Sequence, residues 1–212
     1  MEPVLLIVHV VSGGVALVAL PVVLASPKRR GVHTTFGLAF VTGMAGVVVT
    51  SVPLAFLVES PFLGGVAAFS TYLVASGWRW VRRPGRGTSA AWGRGIAVGM
   101  LAAAAAMVVV GIAQVLAGDR LGIVLLAFAG IGGSSAIEDL RALASGHLGK
   151  RRRTILHLGR MIGAGIATVT AVLVVNVTLE PTWLVWLAPT IVGTPAIGVW
   201  SARWAQAPPS AG

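Results

Sequence analysis

Apolar runs of about 20 residues recur along the whole chain, and each is long enough to cross the hydrocarbon core of a bilayer. No other feature restricts the fold so strongly. A segment surrounded by lipid must satisfy every backbone N–H and C=O within itself, so helices and closed barrels are the two solutions. A barrel needs apolar and polar residues in alternation. Runs such as "VLLIVHVVSGGVALVALPVVLA" do not alternate. The sequence therefore predicts an all-α membrane protein, a seven-transmembrane helix bundle forming one domain over residues 1–212. The predicted spans are 4–25, 34–58, 62–81, 96–117, 121–140, 155–178 and 183–203. Composition agrees, with 56% hydrophobic and 10% charged residues against roughly a quarter charged in soluble domains.

The charges assign the ends of the spans. Fifteen of the 16 basic residues fall at alternate connections or at the C-terminal end. They are Lys28, Arg29 and Arg30, then Arg79, Arg82, Arg83, Arg86 and Arg94, then Arg141, Lys150, Arg151, Arg152, Arg153 and Arg160, and last Arg203. Arg120, Glu2, Glu59, Asp119 and Glu180 lie on the other side. The positive-inside rule then expects the N-terminus outside and the C-terminus cytoplasmic, in a multi-pass protein of the cell (cytoplasmic) membrane. All seven tryptophans lie near span ends, where indole favours the headgroup level. A net charge of +10 arranged this way is a topology signal directed at the lipid bilayer and not a nucleic-acid surface. There are no cysteines, which excludes disulfides and thiolate metal sites. Met-Glu-Pro lacks the positive start of a cleavable signal.

Within the spans, Pro21 and Pro53 each remove a backbone donor. Gly159, Gly163 and Ala167 are expected to form a small-residue ladder that lets helices approach closely, and such faces leave room for a homo-oligomer. "KRRGVH" and "KRRRTILH" precede spans two and six, and "GWRW" and "GVWSARW" close spans three and seven. These echoes suggest a 3+1+3 parallel repeat about the membrane normal, although alternating topology produces much of the same pattern.

Chemistry concentrates at the cytoplasmic end. "RRRTILHLGRMIGAGIATVTAVLVVN" places His157 and Arg160 three residues apart, on one face of a helix that is otherwise apolar. Such a face calls for a buried acidic partner. Asp139, at the end of span five, is the expected counter-charge. Glu138 and Arg141 lie in the same turn, where long side chains reach the headgroups cheaply. His33 starts span two at matching depth. Two imidazoles on facing helices can hold a haem b or a metal ion, so His33 and His157 are the cofactor candidates. A small-solute or proton-coupled permease and a structural membrane subunit are the alternatives. His9, near the outer side, has no partner evident in the sequence, and His147 sits in a basic loop. No "GxSxG", "HExxH" or Walker-type phosphate loop is present, which argues against a hydrolase.

The segments "IGGSSAIEDLRAL", "LHLGRMIGAGIATVTAVLVVN" and "WLAPTIVGTPAIGVW" resemble the carboxy-terminal half of a family of uncharacterised bacterial multi-span integral membrane proteins, a domain of unknown function. "H-x-x-x-G" at His33–Gly37 resembles its earlier segment, in which the family has His-Arg and this chain has Thr34. The likeness covers roughly the whole chain, and its specific part is residues 131–200. It implies a multi-span membrane protein, supplies no mechanism, and marks Asp139, Arg141, His157, Arg160, Met161 and Asn176 as motif positions.

Overall fold

The structure is a computed structural model that describes residues 2–27, 31–82, 90–146 and 148–206. Lys28, Arg29, Arg30, Arg83, Arg86 and His147, used above for topology or as a loop histidine, lie outside the described residues. The described chain is all-helical: α1 Glu2–Ala25, α2 Val32–Leu57, α3 Pro61–Val81, α4 Ala90–Leu116, α5 Leu121–Ala144, α6 Lys150–Asn176 and α7 Thr182–Gln206. Six of the seven, all but α3, are long and apolar enough to cross a membrane. Their outward faces are apolar as well. Phe56 is 79% exposed and Leu116 83% exposed, as suits contact with lipid tails and not with water.

Three hairpins surround one helix. Helices α1 and α2 pack along each other, as do α4 with α5 and α6 with α7. The short connections make each pair antiparallel. Helix α3 is the hub and contacts α2, α4, α5 and α6. It buries 10 of its 21 residues, whereas α1 buries three of 24. That position explains its composition. Ser70, Tyr72, Ser76 and Trp80 lower its apolarity, and all four are buried inside the bundle instead of facing lipid. At about 1.5 Å per residue α3 is still roughly 30 Å long.

Lipid tails are as apolar as leucine, so helix association in a bilayer depends on close packing and interhelical hydrogen bonds. Small residues mark the crossings. A Cβ on Gly43 of α2 would come within 2.7 Å of the Ser12 carbonyl oxygen of α1. Gly111 of α4 and Gly122 of α5 meet backbone to backbone. Leu20 of α1 fills the space over Gly165 of α6. The core between these crossings includes a stacked Phe69–Phe128 pair at 4.8 Å and an edge-on Phe62–Trp186 pair at 4.8 Å.

Several sequence expectations shift. The basic run at 150–153 is the first turn of α6 and not a loop, α4 begins at Ala90 and not near Ile96, and α5 runs on to Ala144. Lys and Arg are good helix formers, so a basic run at a span boundary need not interrupt the helix. The small-residue ladder of α6 turns between two neighbours. Gly159 faces Ile197 of α7, whereas Gly163 faces Leu73 of α3, because each step of four residues rotates by about 40° around the helix. Nor does the helix pairing support the 3+1+3 repeat. The extensive α1–α2 contact should recur between α5 and α6, and these two do not pack along each other.

Candidate functional site

The break between α5 and α6 is where the polar side chains collect. Consecutive in sequence, the two helices are held together near the basic end by long side chains instead of by backbone approach. Asp139 of α5 is buried, at 3% exposure, and Arg160 of α6 reaches it with Nη2 donating to Oδ1 at 2.9 Å. The same Nη2 donates to the Ser135 carbonyl and to Glu138 Oε2, each at 2.9 Å.

The rest of the Asp139 shell comes from α3. Tyr72 Oη donates to Oδ2 at 2.7 Å, the Ser76 hydroxyl donates to the same oxygen, and Trp80 Nε1 donates to Oδ1 at 3.1 Å. These residues are spaced by four and so form one stripe along α3. With Arg160 they supply four donors, and an ionised carboxylate has about four acceptor sites. The carboxylate is therefore satisfied on every side. Arg79 adds a further positive charge, since its guanidinium lies over the Trp80 ring at 4.5 Å from the centroid.

Two local features make room for this arrangement. Gly77, between Ser76 and Trp78 on α3, lies against Met161 and the Arg160 Cβ, where any side chain would clash. Its carbonyl is then within reach of α6 and accepts a hydrogen bond from His157 Nδ1 at 2.8 Å. At the helix ends, Arg153 donates to the Arg82 carbonyl, which ties the start of α6 to the end of α3.

The predicted site residues thus separate into groups. Asp139, Arg160 and Glu138 form one network. Glu138 does more than reach the headgroups, because Arg160 holds it from inside and Arg152 from outside, at 2.7 Å. His157 borders the network without bonding to it, through Gly77. His33 stands outside the network but near enough to His157 to interact with it electrostatically; its Nδ1 lies 3.3 Å from the Val23 carbonyl and 3.4 Å from Ser26 Oγ, both at the end of α1. His9 Nδ1 lies 2.9 Å from Thr50 Oγ1 of α2. The Thr50 proton is directed at the Gly46 carbonyl at 2.7 Å, so His9 is the donor and links the first hairpin.

Beside the network, an open cavity of about 540 Å³ runs along the end of α5 to Arg152 at the start of α6. Ser134, Ser135, Glu138, Arg141, Ser145 and Arg152 supply its polar wall. Arg141 is exposed on that wall and has no ion pair among the described residues. No group of three or more His, Asp or Glu side chains that could hold a metal ion is found among the described residues. Comparison with protein families, with curated proteins and with solved structures finds no match.

The Tyr72–Ser76–Trp80 stripe escaped the sequence reading. Its signal is present in "TYLVASGWRW", in the i, i+4, i+8 spacing of three side-chain donors on the least apolar span. The network also predicts a stability pattern. Asp139→Ala and Arg160→Ala should each cost about 3–5 kcal/mol, because each leaves a buried charge without its partner. The double substitution should cost clearly less than the sum. Arg152→Ala, which breaks a half-exposed pair, should cost at most about 1 kcal/mol. Thermal unfolding in detergent reads all four, and additive losses at 139 and 160 would contradict a shared network.

Proposed function

We propose that all seven helices cross the cytoplasmic membrane, with the basic end in the cytoplasm, and that the α5–α6 cavity binds a small charged solute entering from that side. The observation that carries this reading is the cavity wall itself. Glu138, Arg141 and Arg152 line an open space, and a buried network fixes Glu138 from behind. Ionisable groups within a membrane bundle are expensive and are retained where they bind or move something. The Asp139 shell is the floor of this site. A carboxylate that already accepts four donors has no acceptor site left for a ligand. The protein is then a ligand-binding membrane protein of the permease class.

The orientation rests on the positive-inside distribution. A reporter that is active only outside the cytoplasm, fused after Gly212, should stay silent. Activity there would invert the assignment and place the cavity on the outer face.

The binding reading predicts that a charged solute stabilises the purified protein. In a thermal-shift panel of acetate, glutamate, inorganic phosphate and putrescine at matched ionic strength, at least one should raise the melting temperature. Glu138→Gln or Arg152→Gln should abolish that shift. A panel in which no response depends on either residue rejects the cavity as a solute site.

One observation favours a second reading, haem or metal binding by His33 and His157. A carbonyl oxygen can only accept, so both rings carry their proton on Nδ1, toward Val23 and Gly77. That tautomer places the lone pair on Nε2, the arrangement usual for a ligating histidine. A Soret band in the purified protein that disappears in His157→Ala would establish this reading. A featureless visible spectrum after expression with added haem would remove its haem form.

A further inference from the structure

The charge balance of the α5–α6 cavity points to the chemistry of its occupant. Arg141 and Arg152 both line the cavity, one on α5 and one on α6. Glu138 is the acidic residue of the lining; it pairs with Arg152 at 2.7 Å and shares Arg160 with the buried Asp139, which leaves the charge of Arg141 uncompensated among the described residues. The cavity therefore presents more positive than negative charge. The start of α6 increases that excess. Lys150, Arg151, Arg152 and Arg153 form its first turn, that turn contains no acidic residue, and Gly149 provides no side-chain cap. A helix N-terminus carries about half a positive charge and favours anions. Four cations there repel both the helix dipole and one another, and a bound anion beside Arg152 relieves both.

The shape of the cavity narrows the class. Its lining on α5 extends from Ser134 to Ser145, which is about 16 Å of helix at 1.5 Å per residue. It thus runs from the level of the basic residues into the span. Its span-ward end is lined by Ser134 and Ser135, and beside it on the same stretch of α5, outside the lining, Ile137 is 41% exposed. An amphiphile whose charged head sits among these polar residues and whose apolar tail runs along the exposed α5 surface beside them matches this arrangement. Guanidinium groups bind phosphate through paired hydrogen bonds.

We infer that this cavity is a phosphate site, in which Arg141 and Arg152 hold the phosphate group of an anionic phospholipid from the cytoplasmic leaflet. The inference rests on the binding reading above and specifies its ligand. Arg152 exchanges its bond to Glu138 for the phosphate, while Arg160 keeps Glu138 in place.

The test compares the intact protein in micelles containing phosphatidylglycerol with the same protein in phosphatidylcholine, and in phosphatidylcholine with inorganic phosphate or glycerol phosphate. Phosphatidylglycerol should raise the melting temperature by several degrees over phosphatidylcholine. Arg141→Gln and Arg152→Gln should each lose most of that shift. Lys150→Gln, outside the cavity lining, should keep it, which separates a site from general attraction to a basic surface. Arg141 is exposed, so its variant tests binding without threatening the fold. If the soluble phosphates protect as well as the lipid, through the same two arginines, the phosphate site stands and its source is a free phosphate. If phosphatidylglycerol and soluble phosphates protect wild type and both arginine variants equally, the inference is overturned. If phosphates do nothing while acetate, glutamate or putrescine gives an Arg152-dependent shift, only the phosphate assignment fails and the solute-binding reading survives. A panel with no cavity-dependent response rejects both.

Discussion

Nearly everything at the basic end follows from the cost of placing one carboxylate inside a helix bundle. Removing an ionised carboxylate from water is expensive unless it is paired and its remaining lone pairs are satisfied. Asp139 meets both conditions, with three neutral donors from α3 and one cationic donor from α6. Those requirements fix more than the residue itself. The three α3 donors share one face, so the carboxylate sets the rotation of α3 about its axis. Arg160 sets the height of α6 against α5. Gly77 is small because Arg160 and Met161 occupy the space beside it, and its exposed carbonyl gives His157 a partner. One buried charge thus registers three helices that lipid alone would let slide.

The same geometry accounts for the cavity. Helices α4 and α5 close through Gly111 and Gly122, and α6 and α7 pack as a hairpin. Helices α5 and α6 are spaced by a guanidinium instead. A long charged side chain is a poor filler along its length, and its polar head attracts others. Glu138 and Arg152 continue the network outward until it reaches the surface of the bundle. The spacing that the Asp139–Arg160 pair imposes is therefore also what leaves open volume between the helices. Stability and open space have one origin here.

Much of this was legible in the sequence, for a physical reason. Lipid imposes length and apolarity on a span, and basic residues cannot be scattered without cost, so the seven helices could be read from the runs and charges, whereas the start of α4, the end of α5 and the basic first turn of α6 could not. Asp139 and Arg160 were legible because charges near a span must find each other. Tyr72, Ser76 and Trp80 were not, since tryptophan at a span end reads as an interfacial anchor, and tyrosine and serine are inexpensive when uncharged. Their role appears only once α3 is known to be central. The interior position of α3 is itself a tertiary fact. Its modest apolarity suits a helix shielded by neighbours, but a marginal span gives the same signal. His33 shows a subtler limit: depth placed it near His157, but depth alone does not show that its Nδ1 is directed to the end of α1.

The arginine at 160 also explains why this position would not accept lysine. Its Nη2 serves three acceptors on α5, namely the Ser135 carbonyl, Glu138 and Asp139. Two hydrogens cannot satisfy three acceptors independently, so at least one bond is shared, while the buried Nε has no acceptor among the described residues. The guanidinium is thus oriented by where α5 places its acceptors and not by its own full complement of donors. A lysine ammonium carries its charge on a shorter, narrower head with a different donor geometry. To reach Asp139 it would have to draw α6 toward α5, and Gly77 already sets how closely α6 lies against α3. The network is therefore a compromise among three helix spacings. An arginine that serves all its acceptors through Nη2 and leaves Nε–H unused accommodates all three, and a residue optimised for the carboxylate alone would not.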